Sequence, residues 1–294
     1  MKRAAVVIVE VVAVLGMCAW SFGQSTDKPA TQTPPAGQAA PAAGQAAAAP
    51  QGKRKPQAKT KPEYDAYNAA IALTDPAALE KAADDFAAKF PDSELRTGLY
   101  TLTMERYQTS NNGAKMMEMA RKVLAIDGDD PAALARLAVG LLDSTRDTDL
   151  DKDQKFAEAK KNAEHALVTV ETDVPTAGYP PEQLAGFKSS IRSDAYFVLG
   201  MVPFKANSWA EAEVNLRKSI EAFPQSPDAF THLELGVALD MQNKYPEAMK
   251  YVDRAVELTK DRADSGVGKA ARDEKDRLVQ LSSGAAPGAA APKK

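Results

Sequence analysis

The chain has 294 residues, a formal net charge of −3 with both signs interspersed, one Cys and two His. That balance argues against a nucleic-acid partner, which needs a basic face to neutralise phosphates. So few thiols and imidazoles leave no disulfide framework and little material for metal or nucleophile chemistry. Ala-rich composition with Glu, Lys, Leu and Arg favours helix, and alternating β-branched runs with hairpin turns are missing, so the expected fold class is all-α.

Residues 1–23 read as an export signal. Lys2 and Arg3 supply the positive end, and the stretch from Ala4 to Leu15 is mostly Ala and Val. Ser21-Phe22-Gly23 offers small residues at the two positions a signal peptidase reads, giving cleavage before Gln24. Glu10 is a misfit, because a carboxylate in an apolar core is costly. Two alternatives stay open: an inner-membrane anchor through 4–20, or lipidation at Cys18. Leu15-Gly16-Met17-Cys18 resembles a bacterial lipoprotein box, with Met17 standing where that motif has a small residue. The expected location is the periplasm or the cell-envelope surface.

Residues 24–61 are low complexity, rich in Pro, Ala, Gln and Gly. They hold too little apolar surface to offset ordering entropy and are expected to form a disordered linker. The linker ends in Lys53, Arg54, Lys55, Lys59 and Lys61. These fit either a solvated spacer or contact with a membrane surface or cell-wall polymer. The tail 283–294 has the same character.

Between them lies an expected helical domain, 62–282. Asp75-Pro76, Asp130-Pro131 and Ser226-Pro227 each put a capping side chain before a Pro, and Pro suits the first helical position. Breaks are expected at Phe90-Pro91-Asp92, Gly128-Asp129-Asp130 and Phe223-Pro224-Gln225. Asn207-Ser208-Trp209-Ala210-Glu211-Ala212 returns as Asn243-Lys244-Tyr245-Pro246-Glu247-Ala248, and Leu199-Gly200 returns as Leu235-Gly236, both at an offset of 36 residues. Two landmarks sharing one spacing indicate a duplicated unit, which must stack on neighbours to bury its apolar face.

The order Tyr196, Leu199, Gly200, Trp209, Ala212, Leu216, Pro224, repeated as Leu235, Gly236, Tyr245, Ala248, Val252, Ala255, resembles the tetratricopeptide repeat (TPR) family. Weaker copies run through Tyr64 to Ala87, through Tyr100, Tyr107, Ala120 and Val123, and through Pro131 to Leu167. The resemblance implies a right-handed superhelical solenoid of about five helical hairpins. The amphipathic stretch from Gly268 to Leu281 would be a capping helix. It implies a non-catalytic scaffold that binds other proteins in a concave groove lined by the first helix of each unit. Candidate groove residues are then Phe197, Met201, Phe204, Phe230, Leu233, Val237 and Met241, with Leu134, Leu141 and Leu142 nearby. Lys89-Phe90-Pro91-Asp92-Ser93-Glu94 is similar to exported members that serve outer-membrane assembly or the Tol-Pal system. The alternative is a tethered structural or oligomerising module held to the envelope through the basic linker.

Two departures carry expectations. Pro203, inside an expected helix, should kink it or end it early, at about 3 kcal/mol. Residues 171–183, with Pro175, Gly178, Pro180 and Pro181, are expected to form a mobile loop in which Tyr179 is the residue of interest. No catalytic constellation, cofactor motif or metal set is legible. His165 and His232 lie in different units, and His232 occupies a place where the family carries an aromatic, so packing accounts for it. Asp127, Asp129 and Asp130 lack the rest of a calcium loop and fit helix capping better.

Overall fold

The computed structural model describes residues 53–174 and 180–282. The expected export segment with Cys18, residues 24–52 of the linker, Tyr179 and the tail 283–294 lie outside the described residues. All regular structure among the described residues is helical: α1 Lys61–Ile71, α2 Pro76–Lys89, α3 Leu95–Thr109, α4 Gly113–Ile126, α5 Pro131–Ser144, α6 Lys152–Thr169, α7 Pro181–Lys205, α8 Trp209–Ala222, α9 Ala229–Asp240, α10 Tyr245–Leu258 and α11 Gly266–Ser282. A 3-10 turn, Lys260–Arg262, precedes α11.

The helices pack in chain order, α1 on α2, α3 on α4, α5 on α6, α7 on α8 and α9 on α10, and each second helix packs on the first helix of the next pair. The terminal helix α11 lies against both α9 and α10. First helices also touch across pairs, α1 with α3, α5 with α7 and α9 with α11, whereas second helices do not pack on one another in this way. This is an all-α solenoid of helical hairpins.

Local sequence explains the boundaries. Asp75 and Asp130 cap α2 and α5, accepting 2.8 Å hydrogen bonds from the Ala78 and Ala133 N–H groups, each with Pro at the first helical position. Ser226-Pro227 does not start α9. Asp228 does, because its carboxylate takes both the N–H and the hydroxyl of Thr231, at 2.8 and 2.7 Å. The three expected breaks fall just after α2, α4 and α8.

The turns inside three hairpins share one geometry. Asn111, Asn207 and Asn243 all have positive φ, at 56°, 58° and 62°. The next N–H in each case reaches back five residues, Asn112 to Tyr107 O, Ser208 to Pro203 O and Lys244 to Leu239 O, at 2.9, 2.9 and 3.0 Å. This closes a Schellman-type end, where Asn is among the few non-Gly residues that tolerate the left-handed conformation. Asn207 and Asn243 stand in the repeated hexapeptides. Asn111 does not, because no aromatic follows it.

Glycine sets the closeness of two pairs. A Cβ on Gly200 would stand 2.8 Å from Leu216 Cγ and 3.0 Å from the Leu216 backbone N, and one on Gly236 would stand 2.5 Å from Val252 Cγ2. Their facing residues Ala212, Leu216, Ala248 and Val252 are all fully buried. Leu235 and Ala255 are buried with them, whereas Tyr196, Leu199, Trp209 and Tyr245 are half-buried and Pro224 is exposed.

Two expectations need correction. The first helix of the fourth pair begins at Pro181, so residues 181–183 belong to it and not to a loop. Pro181 at the first helical position and Glu182 in the first turn give it a start that the string of prolines hides. Leu184 and Ile191 then seat its early turns on the core, while Lys188 and Arg192 both bond Glu171. Pro203 lies in the last turn of α7 and spoils little. Pro203 offers no N–H to the Leu199 carbonyl four residues back, and the Pro203 carbonyl accepts from the N–H groups of Ala206 and Ser208.

Candidate partner-binding face

The first helices α1, α3, α5, α7 and α9 are the candidate inner wall, and α11 lies against α9 at one end. Of the groove residues expected from sequence, Phe197, Met201, Phe230 and Leu233 are buried, Phe197 to 1 % exposure. Phe204 and Val237 are half-buried, and only Met241, at 50 %, is open to solvent. The same holds for Leu134, Leu141 and Leu142, all buried in α5.

The reason is tertiary. Phe197 on α7 packs against Phe230 on α9, with ring centres 6.0 Å apart. That pair joins the fourth hairpin to the fifth. Leu233 and Val237 cluster with Ala255 and Val256 of α10 and with Val267, Ala270 and Ala271 of α11. The terminal helix therefore covers part of the face that periodicity alone assigns to a ligand. Phe204 is half-covered by Trp209, whose indole meets it edge-on at 5.1 Å and 85°.

Charge on this face gathers at its α9 end. Burial pushes the Glu234 carboxyl up to about 7, with Lys205 opposing. Glu274 on α11 is raised too, first by burial and then by the neighbouring Glu234. Buried Asp240 is paired with Arg277 of α11. Two acids facing each other across α9 and α11 left no sign in the sequence, because α11 begins 26 residues beyond the end of α9.

The second helices carry a different chemistry. Glu213 accepts hydrogen bonds from Lys244, Arg217 and Gln242, which hold its carboxyl below the usual range against the effect of burial. Arg217 goes on to Glu247 at 2.7 Å and to the Tyr251 hydroxyl at 2.6 Å. In the first pairs Glu80 binds Lys115 at 2.8 Å and the Tyr107 hydroxyl at 2.5 Å, and Asp84 binds Lys122 and Tyr100. These links lace neighbouring pairs together.

The two imidazoles are structural in their surroundings. His232 is buried, with Nδ1 2.8 Å from the Asp228 carbonyl and burial holding its pKa below the usual value. The hollow beside it is about 10 Å³, room for roughly one water. His165 stands 2.9 Å from Asp129. Asp130 caps α5 and Asp127 binds Lys53, so the three acids that invited a calcium reading each have a protein partner. No group of three or more metal-ligating side chains occurs among the described residues.

No family model matches the chain, and no curated protein does. Among solved structures it is similar to the MamA protein, at 17 % identity and a TM-score of 0.45, over 69 % of this chain and 93 % of that one. It is similar to TTC0263, a thermophilic TPR protein of Thermus thermophilus, at 12 % identity and a TM-score of 0.43, over 74 % of this chain and 100 % of that one. It is also similar to Acl4, an assembly chaperone of RpL4, at 13 % identity and a TM-score of 0.41, over 76 % and 98 %. At such values the architecture rests on the helix packing and turn geometry of this chain itself, which are those of a stack of helical hairpins.

Proposed function

We propose that this chain is a non-catalytic scaffold that binds other proteins, works in the bacterial cell envelope after export, and takes a partner segment along its inner wall. The observation that carries the reading is the contact of first helices across pairs, α1 with α3, α5 with α7, and α7 with α9 through Phe197 and Phe230, which joins several short helices into an extended surface. Because Phe197, Met201, Phe230 and Leu233 are in the core, the partner contacts are assigned to Met241, Phe204 and the charged residues at the α9 end. A flexible thioether at the rim suits an adaptable apolar contact.

The test is crosslinking in cells followed by mass spectrometry of the attached proteins, run on the wild type and on a Phe204→Glu/Met241→Glu double variant. A scaffold of this kind loses a defined set of crosslinks in the double variant while cooperative melting is retained, at a temperature lowered by loss of the Phe204–Trp209 contact. An unchanged set of crosslinks would sink the groove reading. The rival reading, adhesion through the basic linker, predicts that deleting residues 24–61 releases the protein from the envelope fraction, whereas retained partner capture favours the groove.

A further inference from the structure

Residues 53–60, which precede α1, have no regular secondary structure, yet they are bonded along their length to the repeat body. Lys53 Nζ lies 2.8 Å from both carboxylate oxygens of Asp127 and 2.9 Å from Asp173 Oδ1. Arg54 pairs with Glu94. Lys59 donates to the Asp92 carbonyl at 2.7 Å, and Ala58 packs against the core. The segment then enters α1 through a capping box between Thr60 and Glu63. Glu63 is itself held by the Ser93 hydroxyl and by the Lys59 N–H, the latter at 2.7 Å.

The partners are ordered. Glu94 belongs to the turn after α2, Asp127 to the turn after α4 and Asp173 to the turn after α6. Each of the first three inter-pair turns thus gives one carboxylate to the segment, and these turns share one edge of the stack. Eight extended residues reach at most about 27 Å, enough to cross adjacent hairpins packed at roughly 10 Å. The chain runs along the edge against the order of the repeats, and one ammonium, Lys53, ties two successive turns together.

We propose that residues 53–60 are an electrostatic strap: a basic segment latched in cis on the acidic edge, which keeps Lys53, Arg54 and Lys59 from anionic surfaces until the latch is released. The occupant of the edge is this chain's own segment. The latch follows from charge complementarity at three turns and from the fixed point at Thr60. It is independent of the inner wall. Its ion pairs are partly exposed, so salt loosens it: the screening length falls from about 10 Å at 0.1 M to about 3 Å at 1 M. A strongly anionic surface competes for the same cations.

The experiment is limited trypsin digestion of the full chain, following cleavage after Lys53, Arg54 and Lys59, with vesicle flotation in parallel. Wild type is cleaved there slowly at 50 mM NaCl and at least tenfold faster at 1 M. An Asp127→Asn/Asp173→Asn variant is cleaved at the fast rate at both salts, with the helical melting curve retained. Arg54→Glu is fast, and Arg54→Glu/Glu94→Arg is slow again, which guards against a loss that is merely misfolding. On phosphatidylglycerol vesicles at 50 mM NaCl the Asp127→Asn/Asp173→Asn variant floats and wild type does not. Equal cleavage rates in wild type and the double variant overturn the strap. So does equal flotation, which would mean that the cations are free already.

Discussion

The two ends of the stack are held by different physics. In the fourth and fifth pairs, Gly200 and Gly236 bring backbones so close that a single added Cβ would meet Leu216 or Val252. In the first pair the helices pack loosely, and the region depends on polar links: Glu63 to Ser93, Glu80 to Lys115 and Tyr107, and the strap over the turns. Where the repeat signature is intact, interdigitated side chains specify the hairpin. Where it has decayed, hydrogen bonds and ion pairs do. The difference places sensitivity to volume at the C-terminal end, whereas ion pairs that answer salt occur at both ends.

The largest effects should come from volume changes in the tight pairs. Leu216→Ala removes a fully buried side chain and should cost about 3–4 kcal/mol in chemical denaturation. A cost under 1 kcal/mol would mean that the hairpin collapses freely around the gap. Trp209→Ala should cost less, about 2 kcal/mol, since the indole is half-buried and rests mainly on Phe204.

Glycine substitutions divide tight from yielding contacts. Gly200→Ala drives a Cβ toward the Leu216 backbone and should cost about 1–3 kcal/mol. Gly140→Ala meets Met117 Cγ at 2.5 Å, but a methionine side chain can swing away, so about 1 kcal/mol or less is expected. Equal costs at the two sites would remove the distinction between backbone and side-chain contact.

The polar end is tested by Ser93→Ala and by pH. Removing the buried Ser93 hydroxyl should cost about 1 kcal/mol and raise hydrogen exchange in α1 first. The hydrogen bond from Ser93, together with the Lys59 and Thr60 N–H groups, holds the Glu63 carboxyl below its ordinary value. A depressed carboxylate stabilises above its unfolded pKa, about 4.3, and that contribution drains away as pH falls through the folded value.

The α9 end should answer acid in the opposite sense. Glu234, raised to about 7, and Glu274, also raised, favour the folded state when protonated. For Glu234 that contribution is present below about pH 4 and is lost as pH rises through its folded value near 7, and Glu274 acts in the same direction. Hydrogen exchange should therefore show α1 loosening between pH 5 and 3 while α11 is firmer at pH 5 than at pH 8. Parallel changes at both ends would dissolve the contrast.

How much of this was legible beforehand depends on the range of the interaction. The helix starts at Asp75 and Asp130, the breaks, and the paired landmarks around Trp209 and Tyr245 are set by neighbours a few residues away, and they were readable as such. Asp228 as the cap of α9 and Pro181 as the start of α7 were obscured by adjacent prolines that offered a competing local reading. The inner-wall candidates fared differently. Helical spacing groups Phe230, Leu233, Val237 and Met241 on one stripe, but a stripe does not say what lies over it.

The sequence by itself determined that the chain is built of helices, that they pair into hairpins, and where two of those hairpins repeat. Caps, prolines, left-handed Asn turns and period are local properties of the chain. Only the tertiary structure decided that α11 covers Leu233 and Val237, that Phe197 faces Phe230, and that Lys53 meets Asp127 and Asp173. Those contacts join residues far apart in the chain, and their partners are chosen by how the hairpins stack.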